Sequence, residues 1–151
     1  MKKLFAVLIL TAVAGSVLAQ QSLKPEEMIK TRKAAYSFMS WNMGKVKANV
    51  DGTFNKEQTV AAANAVAAVA NSGLGGLFGP GTDKDVGDQK TRVKPEFFQQ
   101  SDKVRELAMN FNKEANELAK VAATGDVAAI KAQFGKTGGT CKACHDAFRK
   151  D

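Results

Sequence analysis

Near the C-terminus, Cys141 and Cys144 stand three residues apart, and His145 directly follows the second. On a helix, residues at that spacing share a face. Two thiols so placed can add to the two vinyl groups along one haem edge, and the next residue can project an imidazole beneath the ring to ligate iron. Cys-x-x-Cys-His is the attachment signature of c-type haem. It predicts one covalent haem c per chain, held by Cys141 and Cys144, with His145 as the axial iron ligand. Three other readings carry less. A dithiol redox site wants a strand–helix context, and the chain shows few alternating apolar–polar runs. Zinc wants four ligands, and there is no further Cys or His. A plain Cys141–Cys144 disulfide leaves the adjacent His unexplained.

His145 is the only histidine, so bis-His ligation within one chain is excluded. Met28, Met39, Met43 and Met109 are the candidates for a sixth ligand. A methionine on a helical stripe is more often packing than ligand, so an open distal position is expected, with His/Met ligation as the alternative. No acid–base or nucleophilic constellation points to an enzyme.

The elements that must position this triad begin after a leader. Met1-Lys2-Lys3 is a short positive segment, Leu4 to Val17 is largely apolar, and Val17-Leu18-Ala19 puts small side chains where a signal peptidase needs them. Residues 1–19 therefore read as a cleaved export signal and residues 20–151 as one domain, placed in the periplasm with no membrane span after cleavage. Loss of Lys2 and Lys3 lowers the formal charge from +7 to +5. The remaining cations are interleaved with acids, which argues against nucleic-acid binding.

Four helical segments follow by period. The first opens at Pro25-Glu26-Glu27, runs with Met28, Arg32, Tyr36, Met39, Met43, Val46 and Val50 on one face, and stops at Asp51-Gly52. The second spans about Lys56 to Asn71, with Val60, Ala63, Val66 (or Ala67) and Ala70 on one side. A glycine-rich connector covers about Ser72 to Lys94. The third starts at Pro95-Glu96, with Phe97, Ser101, Val104, Ala108, Phe111, Ala115, Leu118 and Ala122 as its stripe. Thr124-Gly125-Asp126 is a stop followed by an N-cap. The fourth carries Val127, Ile130, Phe134, Cys141, His145 and Phe148, and Gly138-Gly139 is expected to interrupt it where something bulky approaches the backbone. The expected fold is all-α, an antiparallel up-down-up-down four-helix bundle.

In this setting the chain resembles the cytochrome c′ family, the class II c-type cytochromes. The resemblance runs through Lys24-Pro25-Glu26-Glu27, Ile29-Lys30-Thr31-Arg32, Phe78-Gly79-Pro80-Gly81-Thr82, Lys94-Pro95-Glu96-Phe97-Phe98, Phe134-Gly135 and Cys141 to Arg149. A haem motif at the C-terminal end is itself distinguishing, since class I cytochromes carry it near the N-terminus.

The resemblance implies a homodimer and a pentacoordinate haem whose distal face is occluded from the first helix and binds NO and CO. It implies a role for Arg149 beside the imidazole, for Arg32 near the haem propionates, and for Thr91 at the haem edge. Tyr36 falls where many members place a leucine over the iron. It either packs in the bundle with its hydroxyl in solvent or covers the iron, and the resemblance favours the second; Met39, one turn on, would line the same pocket. The implied function is a gas-binding haem protein, with electron transfer to an unknown redox partner as a further role. The alternative is a low-spin His/Met electron carrier of the same class.

Overall fold

The computed structural model describes residues 23–151, so the proposed leader lies outside the described residues. Helix α1 (Pro25–Asp51) starts where proline takes the first helical position and the Lys24 amide donates to the Glu27 carboxylate at 2.9 Å. Its interior face is Ile29, Arg32, Met39, Val46 and Val50, joined by the buried amides Asn42 and Asn49. Each amide donates to its own helix, Asn42 to the Phe38 carbonyl and Asn49 to that of Lys45. Asn49 also donates to Gln58 and accepts from the Asn55 amide, which fixes the turn into α2. Ile29 is the core residue missing from the expected stripe.

Helix α2 (Lys56–Ala70) is capped by the Asn55 side chain, which accepts from the Gln58 amide. Its buried face is Thr59, Ala62, Ala63, Val66 and Ala67. The connector contains a 3-10 turn at Leu74–Leu77 and a second at Pro95–Phe98. The expected third helix thus begins later than read: Pro95 opens a separate turn, and α3 (Ser101–Thr124) follows it. Ser101 and Ala108 are exposed, and Leu107, larger than its neighbour Ala108, takes the interior instead.

Gly125 (φ +81°) closes α3 in the left-handed region, where a side chain would be strained, and Asp126 caps α4 (Val127–Phe148) by accepting from the Ala129 amide. Helix α4 runs unbroken through Gly138 and Gly139, contrary to expectation. A clasp from α3 holds it just ahead of the weak stretch: Gln133 and Thr137 both donate to the Glu114 carbonyl, and Gln133 also donates to the Glu114 carboxylate. Among the described residues, nothing beyond the adjoining turns of α4 comes within 4 Å of where a Cβ on either glycine would stand.

Each helix packs on its sequence neighbour, and α1 meets α4 to close the four-helix bundle, the least intimate of these contacts. The apolar core fills one end of it: Val46 and Val50 of α1, Ala62 and Ala63 of α2, Leu118 and Ala122 of α3, Ile130 of α4. A smaller cluster of Met39, Val66 and Ala115 continues towards the middle. At the other end lie the first half of α1, the second half of α4 and the connector. No described helix is long and apolar enough to cross a membrane.

Candidate functional site

Cys141 and Cys144 are free thiols, both half-buried on one face of α4. Burial pushes both up from the ordinary thiol value, with Cys141 adding to the effect at Cys144.

Tyr36 of α1 lies near enough to both thiols to feel their charge. Its phenol is pushed up to about 12, first by burial, then by Cys144 and Cys141, with Arg32 opposing. The residue still keeps 40 % of its surface accessible. Together these place Tyr36 in a crevice, crowded on most sides with part of its surface open. Its ring stands edge-on to Phe78 at 6.4 Å. Phe78 in turn stacks on Phe97 at 4.5 Å, and Phe97 meets Phe148 of α4 at 5.5 Å.

Arg32 is 4 % exposed, and no ion pair involves it among the described residues. Its Nη1 donates to the Leu77 carbonyl (3.3 Å) and to Thr82 Oγ1 (2.8 Å). Its Nη2 donates to the Thr82 carbonyl and to Thr91 Oγ1, both at 2.5 Å. The Phe78 ring lies 4.8 Å below the guanidinium. Both terminal nitrogens are thus fully engaged, each with two acceptors. These bonds hold the guanidinium against the connector and leave its Nε–H and its charge for a further partner. Thr82, fully buried, is the functional neighbour that sequence reasoning passed over, although it ends the Phe78-Gly79-Pro80-Gly81-Thr82 segment singled out above.

His145 is exposed on the last turn of α4, and its Nδ1 lies 3.3 Å from Arg149 Nη1. A cleft of about 550 Å³ surrounds it, with Arg92, Lys94 and Lys150 on its walls beside Arg149. Thr91 sits between the two halves of the site: its hydroxyl accepts from Arg32 and from the Val93 amide (3.3 Å), and its own amide donates to Asp85.

The four methionines are occupied elsewhere. Met39 and Met43 pack in the core, Met109 is 64 % exposed, and the Met28 sulfur stands against Gly79, where a Cβ would meet it at 2.7 Å. Met39 therefore belongs to the packing beneath the crevice.

The residues fit a c-type haem. Two unpaired thiols share a helix face, an accessible imidazole follows them, an aromatic-lined crevice lies opposite, and a buried cation without a carboxylate partner adjoins it. Such a site on such a fold defines a four-helix c-type haem protein.

Comparison with known proteins agrees. The Cytochrome C′ family model matches residues 27–149. The chain is 56 % identical to a cytochrome c′ of Allochromatium vinosum over 95 % of its own length and 93 % of the relative's. It is similar to a solved cytochrome c′ described as having an unusual ligand-controlled dimer dissociation, at 58 % identity and a TM-score of 0.84, covering 85 % of this chain and 98 % of that one. It also resembles, at 29 % identity and a TM-score of 0.73, a nitric oxide complex of a cytochrome c′ variant from Alcaligenes xylosoxidans, covering 85 % of this chain and 98 % of that one. The chain belongs to the cytochrome c′ family, whose members carry covalently attached haem c.

Proposed function

We propose that this chain is an exported, periplasmic haem protein that binds NO and CO at a distal face guarded by Tyr36. Cys141 and Cys144 hold the haem, and His145 is its sole axial protein ligand. The observation that carries the reading is Tyr36 of α1 within electrostatic reach of both thiols of α4, while Met39 and Met43 pack in the core, Met28 lies against the connector and Met109 is exposed. The haem, when bound, supplies an iron able to take a diatomic ligand and to change oxidation state.

The protein's own residues tune that site from both sides. When His145 ligates through Nε2, its Nδ1 carries the ring proton and needs an acceptor. The near group is the Arg149 guanidinium, which has only donors. A carboxylate there would raise the ligand's basicity; a cation lowers it and leaves His145 a weak donor. On the other side Tyr36, steadied by Phe78, must move before a ligand enters. The nitric oxide complex of the relative supports this ligand class.

The outer face of α1 gives the proposed homodimer its contact. Phe38 and Trp41 are 47 % and 58 % exposed, with their rings 5.8 Å apart, and the Lys45 ammonium lies 3.4 Å from the Trp41 ring centre. The relative's ligand-controlled dimer dissociation supports a pair that senses the crevice, since Tyr36 and Trp41 ride on one helix.

An electronic spectrum of the oxidised, reduced and CO-treated protein tests the reading. A high-spin reduced form that converts on CO addition is expected. A six-coordinate low-spin reduced form without added ligand would overturn it in favour of the His/Met carrier.

A further inference from the structure

An α-helix leaves its last four carbonyls without intrahelical donors. In α4 these belong to His145, Asp146, Ala147 and Phe148. The Arg149 amide serves His145. The other three are served by one residue from more than fifty positions upstream in the chain's connector. The Lys94 amide donates to the Phe148 carbonyl at 2.8 Å, and the Lys94 ammonium reaches those of Asp146 (3.3 Å) and Ala147 (3.5 Å). The stitching continues on either side: Val93 pairs with Arg149, and the Lys150 amide donates to the Arg92 carbonyl at 2.7 Å.

The same segment is fastened to the opposite wall. Thr91 Oγ1 accepts from Arg32 of α1 and from the Val93 amide. Arg32 lies one helical turn before Tyr36. Four consecutive residues, Thr91 to Lys94, therefore connect the helix that lines the distal crevice to the turn that presents the axial histidine.

We propose that Lys94 is a positioning residue for His145, and that Thr91 ties it to Arg32, so that residues 91–94 form a strap coupling the two faces of the haem site. The His145 ring is set by the backbone of the last helical turn. That turn is held by donors from the strap rather than by further helix. The strap in turn is anchored on a buried arginine whose four terminal hydrogen bonds leave it little freedom. Displacement of Tyr36 by a ligand moves its own helix, and the strap carries part of that movement to His145. The inference rests on His145 being the axial ligand.

The iron–histidine stretching band of the reduced, unliganded protein reads the axial bond directly, and amide exchange at Lys150 reads the strap without reference to iron. Lys94→Met keeps the aliphatic stem and removes the ammonium; Thr91→Val removes the hydroxyl at constant shape. Both should shift and broaden the band and speed Lys150 exchange several-fold, while Lys94→Arg and Thr91→Ser should restore wild-type behaviour. A band unmoved in both variants, even with a lowered Tm, overturns the proposal. A band moved by Lys94→Met alone removes the link to Arg32. Absence of any such band in the wild-type protein would overturn both the proposal and the axial assignment beneath it.

Discussion

The Tyr36 phenol of α1 lies within electrostatic reach of the Cys144 thiol of α4, and this neighbour is the second cause, after burial, of a phenol pushed up to about 12. Once the sulfurs are thioethers they no longer ionise, so their share of the shift disappears and that of burial stays. In the haem-loaded protein the single tyrosine should therefore still titrate above the ordinary value of 10. The sign for stability follows. A raised phenol favours the fold fully below pH 10, and the contribution is lost as pH climbs towards the folded value. NMR of ring-labelled tyrosine against pH measures the midpoint; a value at or below 10 contradicts the crevice.

Tyr36→Ala should open the distal face. If the ring covers the site most of the time, ligand affinity is reduced by the open fraction. Removing it should tighten CO binding about tenfold or more, equivalent to ~1.4 kcal/mol. Unchanged CO affinity would mean that the ring does not stand in the ligand's path.

Arg32→Lys keeps the charge and loses the fork. A single ammonium cannot serve the Leu77 and Thr82 carbonyls and both hydroxyls together. With buried acceptors left unpaired, the expected loss is about 3 kcal/mol, read by denaturant unfolding. A loss below ~1 kcal/mol would show that the connector holds without it.

Asp51 accepts from Lys47 of its own helix at 2.6 Å and from Lys131 of α4 at 2.7 Å. Hydrogen bonds to Lys131 and then Lys47 lower its carboxyl from 3.8 to about 2. Its contribution is present above the unfolded value and vanishes as pH falls through the folded one. The group is exposed, so the effect is small and weakens with salt. Asp51→Asn should flatten the stability profile between pH 4 and 2, and identical profiles would remove the pair from the account.

Trp41→Glu places a carboxylate in the proposed dimer contact. The variant should sediment as a monomer at concentrations where the wild-type protein is dimeric, with unchanged helical content. A dimer that survives the substitution puts the interface elsewhere.

Much of the frame was readable because its signals are local. Proline before two acids, a glycine stop and an aspartate cap mark α1 and the α3–α4 turn, and periodicity identified Val46, Leu118 and Ile130 as interior. Pro95 misled because proline opens a 3-10 turn as readily as an α-helix. Gly138-Gly139 misled because intrinsic propensity is a weak prior, and here the Glu114 clasp across to Gln133 and Thr137 overrides it. The Cys-x-x-Cys-His triad is local too, whereas the site around it is not. Arg32 meets Thr82 and Thr91 across fifty or more residues, and Lys94 meets the end of α4 across as many. Pairings of that kind leave no periodic trace in a single sequence.

The exposed indole of α1 has an optical consequence. Trp41 is the only tryptophan in the chain, and it stands on the outer surface of the helix with Lys45 over its face. Emission excited at its red edge thus originates from one known spot outside the bundle. Its colour and polarisation report solvent contact and tumbling at that surface, giving association a label-free readout, dimmed by energy transfer once haem is attached.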